Sequence, residues 1–133
     1  MNDLELEQAY YNTRYIVADI ILRVDKTNEQ LDDLLIKNNC ETYAFITAHN
    51  PLSQLMPENE NKRRHEQLIA FIKKSEFKYF EGFGEGTAGW PNETSLLILG
   101  TRQEEAIACG IKFNQKAIIF GQLKGVASLI MIQ

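Results

Sequence analysis

The residues best suited to meet a ligand gather where an apolar run ends, in the stretch AFITAHNPLS over residues 44–53. Asn50 offers a donor and an acceptor, Ser53 offers a hydroxyl, and Pro51 stiffens the backbone between them, lowering the ordering cost of binding. Arg63 or Arg64, on a helix expected to begin near Pro57, would bring a guanidinium fork suited to phosphate or carboxylate. The same helix start offers free N–H groups and the positive end of a dipole. Glu93 enters a second dry run, SLLIL, just behind Trp90 and Pro91. A carboxylate at such a mouth has its pKa raised and can serve as acid or base, or it accepts a backbone or arginine hydrogen bond. His49 is the other base candidate, set against the plainer reading of a polar turn residue. Together these residues predict a pocket for a small anionic or nucleotide-like molecule.

Other motifs fail on context. Gly84-x-Gly86-x-x-Gly89 has the spacing of a dinucleotide-binding loop, but that fingerprint needs a helix directly after the glycines. Trp90-Pro91 and a strand pattern follow instead, so a flexible connector is the plainer expectation. Lys62-Arg63-Arg64-His65 would fan around a helix, because residues on one face are three or four apart, and a solvated basic face is its default. His49 and His65 are the only histidines, and no cluster has metal-ligand spacing, so neither a metal nor a cofactor is expected. Ser53 lacks a G-x-S-x-G setting and Cys40 lacks an activating base, so no catalytic nucleophile stands out. The sequence alone does not decide between an enzyme and a binding domain.

At 133 residues, with 44% hydrophobic and 24% charged, the chain reads as one domain over residues 1–133. A formal charge of -4 argues against general nucleic-acid binding. No apolar run approaches the roughly 20 residues that span a bilayer, so no membrane association is expected. The start MNDLELEQ is acidic where a signal peptide would be basic and then apolar. Cys40 and Cys109 are far apart in sequence and read as reduced thiols. A cytoplasmic protein is the expectation.

The elements that must position these residues follow from periodicity. A short helix is predicted over residues 3–12, and apolar alternation over 15–24 predicts a half-covered strand. Thr27 and Gln30 form a capping-box pattern ahead of Leu31, Leu34 and Leu35, with Asn38 and Asn39 as stop residues. Residues 43–48 read as a central strand, and Asn50-Pro51 as a type I turn. A helix from Pro57 carries Leu68, Ile69 and Ile72 inward. Strands over 77–83 and 95–99 precede a helix capped by Thr101 and Glu104, and strands over 117–120 and 126–132 close the chain. The order (α)βαβαββαββ predicts an α/β (α+β) domain with three or four helices and a mixed parallel and antiparallel sheet of about six strands.

Several positions in this order resemble a bacterial family, domain of unknown function 3293. They are Ala9, Tyr10 and Thr13; Thr47-Ala48-x-Asn50-Pro51 with Ser53; and Asn59 or Asn61 with Arg63 or Arg64 ahead of Leu68. Trp90 with Glu93 and Phe113-x-Gln115-x-Ala117 complete the set. The resemblance spans nearly the whole chain and implies a small cytoplasmic bacterial domain with no established activity or cofactor. It marks Asn50, Ser53, Arg63, Arg64, Glu93 and Gln115 as the polar positions to test, and it usually has an aromatic residue where His49 stands. A second function class stands beside the pocket. It is a non-enzymatic interaction module that binds a protein partner or a second copy through a sheet edge or the aromatic cluster Phe77, Tyr79, Phe80 and Trp90. The pocket requires Asn50, Arg63 or Arg64, and Glu93 to converge; the module requires them scattered.

Overall fold

A computed structural model gives the fold and describes residues 2–87 and 89–132. At its centre lies β3 (Thr42–Thr47), whose four middle residues, Tyr43 to Ile46, are all buried. Such a strand needs cover on both faces and a partner on both edges. It has antiparallel partners in β5 (Glu93–Leu99) and β6 (Ala117–Gln122). Around them lie α1 (Asp3–Asn12), β1 (Tyr15–Val17), β2 (Ile20–Leu22), α2 (Glu29–Lys37), α3 (Glu58–Lys74), β4 (Lys78–Gly84), α4 (Gln103–Lys112) and β7 (Ser128–Met131). The sheet order is β2-β1-β4-β5-β3-β6-β7.

This corrects the expectation of a mixed sheet of about six strands. Seven strands pair, and every pairing between them is antiparallel. The reason lies in what sits between helix-linked strands. α3 joins β3 to β4, which run the same way, but β5 lies between them; α4 joins β5 to β6, with β3 between. Parallel crossovers are therefore split by an intervening strand, as in a ferredoxin-like β-α-β-β-α-β unit. The seventh strand comes from residues 15–24, which turn at Ala18-Asp19 and pair β1 with β2, Val17 opposite Ile20. Ala18 takes a φ of 53° there, with no glycine or asparagine to announce the turn. A two-residue turn also shifts the alternation by one, so Tyr15 and Val17 are buried before it and Ile20 and Leu22 after it.

The two faces carry two cores. On one, Leu68 and Ile72 of α3 and Ala106 and Cys109 of α4 cover Ala44, Ile46, Leu96, Ile98, Ile118 and Phe120. On the other, Leu31 and Leu35 of α2 pack with Tyr15, Leu22, Phe45, Leu97, Leu99 and Ile119. The sheet curls around this second core until its edges meet. Val24 beyond β2 bridges Ala127 ahead of β7, the one parallel contact, and Asp25 N–H donates to the Ala127 carbonyl at 2.7 Å. No described helix is long and apolar enough to cross a membrane.

Local starts and stops also move. α2 is capped by Asn28, whose side chain accepts from Leu31 N–H at 2.9 Å, rather than by Thr27. α4 begins one residue later than the Thr101–Glu104 pattern, with Arg102 N–H donating to Glu105 at 2.7 Å. The loop after β3 is not a type I turn, because Leu52 sits at φ 53° and ψ 32°. β7 starts at Ser128 rather than at 126. Because Ile46 and Leu97 lie about 1% exposed in the two cores, a carboxylate at either has no partner and no water. Ile46→Asp and Leu97→Asp are each expected to abolish folding, a loss comparable to the whole ~5–15 kcal/mol of a typical domain. Circular dichroism melts that match wild type for both would refute the interior placement.

Candidate functional site

Asn50, three residues beyond β3, sits in the left-handed region at φ 48°, a conformation asparagine tolerates better than most residues. It is 2% exposed, so every polar atom it carries needs a partner. Its N–H donates to Asn61 Oδ1 at 2.8 Å, and its Oδ1 accepts from Met56 N–H and from Asn61 Nδ2, both at 2.9 Å. A carbonyl oxygen facing a backbone donor fixes the amide's orientation, which aims Nδ2 at Glu93 Oε2, 2.7 Å away. One side chain thus joins the end of β3, the following loop, α3 and the start of β5.

Glu93 sits on the inner face of the curl because β5 alternates, placing Glu93, Ser95, Leu97 and Leu99 on one side. Its Oε2 also accepts from Trp90 Nε1 at 3.2 Å. Among the described residues, nothing bonds Oε1. Burial raises the Glu93 pKa above its ordinary value, and the Asn50 and Trp90 hydrogen bonds only partly offset this. The carboxylate lines a small cavity of about 40 Å³ together with Tyr10, Tyr15, Phe45, Thr47, Ser95 and Gln115. That is room for roughly three water-sized groups.

The glycine motif positions Trp90. Gly84, Gly86 and Gly89 belong to the β4–β5 hairpin, where a Cβ on Gly86 would lie 2.0 Å from the Trp90 carbonyl, so only glycine lets the loop close. Gly86 N–H donates to Asn92 Oδ1 at 2.7 Å, and Trp90 N–H to the Thr87 carbonyl at 2.9 Å. Tyr10 enters from α1, a helix with no fully buried residue, and packs against the inner core. Burial, then the Glu93 charge, pushes its pKa up to about 12, with Ser53 facing the phenol and pulling the other way. Gln115 is buried and donates from Nε2 to the carbonyls of His49 and Phe113.

The expected residues therefore divide. Glu93 and Gln115 line the cavity, Asn50 bonds Glu93, and Ser53 faces Tyr10. Arg63 does not: it is exposed and pairs with Glu60 on its own helix. Arg64 donates from Nε to the Ala48 carbonyl at 2.7 Å and from Nη2 to the Phe113 carbonyl, so it ties β3 to the end of α4. His49 turns its ring edge-on to His65, 6.1 Å between centroids, and stays neutral because burial, then His65 and Arg64, lower its pKa to about 4. His65 is buried beside Glu81, with Nδ1 unpartnered among the described residues. Among the described residues no cluster could hold a metal ion. The aromatic cluster is dispersed: Phe77 and Tyr79 pack on the α3 side, whereas Trp90 faces Glu93.

Tyr10 and Asn61 were not among the expected site residues. Tyr10 is hidden on a polar helix, and its only sequence signal is the Ala9-Tyr10-x-x-Thr13 spacing. Asn61 and Asn59 look alike in sequence, and helix phase alone buries the first and exposes the second. A wider groove of about 760 Å³ opens at the opposite strand ends, beside Thr42, Gly100 and Gln122. It has no buried charge.

Two outcomes follow from these partners. Arg64→Met should lower stability by about 1–3 kcal/mol by removing the donor to the Ala48 carbonyl and leaving the Phe113 carbonyl to Gln115 alone, while Arg63→Ala should leave the melting temperature unchanged. Equal effects from both would contradict the assignment. Glu93, with a raised folded pKa, contributes stability below its unfolded value that is lost as pH rises through the folded one. Glu93→Gln should therefore melt higher than wild type near neutrality and converge with it near pH 4. A gap that is constant with pH would mean Glu93 is not perturbed.

Searches of curated proteins and of solved structures return no match. A family profile matches residues 46–118, from the end of β3 to the start of β6, and takes in Asn50, Asn61, Arg64, Trp90, Glu93 and Gln115. Since that span is more than half of the chain, the protein belongs to the family described as "Protein of unknown function (DUF3293)".

Proposed function

We propose that this chain is a small-molecule-binding domain whose site is the cavity at the ends of β3 and β5, with Glu93 as the group that meets the ligand. The observation that carries this reading is the state of that carboxylate. It lines a largely apolar cavity with no arginine or lysine paired to it among the described residues, one oxygen held by Asn50 and Trp90 and the other unbonded among them. Removing a charge from water without a counter-ion is costly, and a glutamine would accept the same two hydrogen bonds without that cost. The loop opposite supports the reading too. Asn50, Leu52 and Ser53 all hold positive φ, of the kind that costs about 1–3 kcal/mol each and concentrates at binding sites.

The chemistry available is narrow. Tyr10 and Tyr15 are kept protonated by burial, and Ser95 Oγ donates to the Glu93 carbonyl, so no activated nucleophile faces the cavity. Glu93 can accept or return one proton, and that sets the limit on catalysis here. Arg63 and Arg64 have no part in this reading, because both are engaged elsewhere.

Trp90 is the single tryptophan, so its emission reports on the indole that donates to Glu93 at the cavity. A screen of small polar fragments should yield compounds that both shift the melting temperature and change that emission. Glu93→Gln should weaken them roughly tenfold or more. Fragments that stabilise wild type and Glu93→Gln equally, with Trp90 emission unchanged, would put the binding site elsewhere.

A further inference from the structure

We propose that the ligand of this cavity is a cation with N–H donors, a primary ammonium head no larger than a few non-hydrogen atoms. This rests on the reading of the cavity as a binding site and names the class that the site selects. The argument begins with the donors, most of which are already committed. Asn50 Nδ2 and Trp90 Nε1 donate to Glu93 Oε2, at 2.7 and 3.2 Å. Gln115 Nε2 donates to two backbone carbonyls, Thr47 Oγ1 to the Thr94 carbonyl at 2.8 Å, and Ser95 Oγ to the Glu93 carbonyl at 2.8 Å.

What these groups leave toward the cavity is acceptor capacity: the unbonded Oε1 of Glu93 and the lone pairs of the Ser95 hydroxyl. Only the Tyr10 hydroxyl can serve either way. A ligand that offers acceptors, such as a carboxylate or phosphate, would meet acceptors and a negative charge. An ammonium offers three donors and the complementary charge. The walls suit it as well. Tyr10, Tyr15 and Phe45 line the same cavity, and aromatic faces attract a cation by their quadrupole. Size selects further, since about 40 Å³ admits roughly three water-sized groups. A purine is too large to enter without rearrangement.

The test uses matched small probes on the full chain: methylammonium, tetramethylammonium, acetamide and acetate, read by Trp90 emission and by the indole N–H resonance. Methylammonium is expected to perturb both. Tetramethylammonium, which has the charge but no N–H, should bind at least about tenfold more weakly, as should neutral acetamide. Glu93→Gln should abolish the preference for methylammonium over acetamide. In case that variant folds poorly, wild type supplies a second measurement. Methylammonium affinity should fall as pH drops and Glu93 takes up a proton, while Tyr10 and Tyr15, the other titratable groups facing it, stay protonated throughout. Acetate or acetamide perturbing Trp90 while methylammonium does not would overturn the cation class but keep the cavity as the site. No probe perturbing Trp90 would overturn both.

Discussion

The site depends on one amide. Asn50 sits just beyond β3, and its backbone and side chain together make five hydrogen bonds, to the following loop, α3 and β5. Because the residue is buried, each of those bonds is enforced by the cost of leaving a polar atom unpaired. The left-handed backbone at Asn50 turns the chain away from the sheet, and Asn61 from α3 closes the knot. The knot holds α3 against the end of the sheet and turns Nδ2 toward Glu93. Positioning and recognition therefore share a side chain, and neither can be altered alone.

The sheet supplies the rest. Splitting each crossover with an extra strand brings the end of β3 beside the starts of β5 and β6, so Thr47, Glu93 and Ala117 reach the same rim. The curl then does what a flat sheet would not. By drawing β2 and β7 toward each other through Val24 and Ala127, it turns one face into the inside of an incomplete barrel. Side chains that would cover a flat face now line a concavity. α1 brings Tyr10 over it without burying any residue of its own completely. Since few buried contacts mark low local stability, α1 is the element of the rim least firmly held.

Much of this was legible in the sequence, for physical reasons that can be named. The run at 43–48 was dry on both faces, and so was SLLIL, which made both strands interior without reference to the rest of the fold. Glu93 was legible too, since it keeps the parity of Leu97 and Leu99 and had to share their side. The arginines were not. A helix turns 100° per residue, so Arg63 and Arg64 diverge, and the carbonyls that capture Arg64 belong to Ala48 and to Phe113, far away in sequence. The hairpin within 15–24 was hidden because the positive-φ position of its turn holds Ala18 rather than a glycine or asparagine. Strand order was hidden as well, since alternating helices and strands fit parallel neighbours and split ones equally.

A buried carboxylate without a cation is a conflict between the local residue and its surroundings, and such conflicts collect where structure gives way to function. Position 93 could be filled at no electrostatic cost by a side chain with the same shape and the same acceptor. What glutamate adds is a negative charge and a proton that can come and go. Neither helps the fold, whose two cores are complete without it. On the reading proposed above the charge serves something that enters the cavity, and the direction of the surrounding hydrogen bonds limits what that can be. With Asn50, Trp90, Gln115, Thr47 and Ser95 all donating to protein atoms, the cavity presents acceptors around one anionic oxygen. A water can satisfy part of that arrangement but brings no charge, whereas the ammonium proposed above matches both the acceptors and the charge.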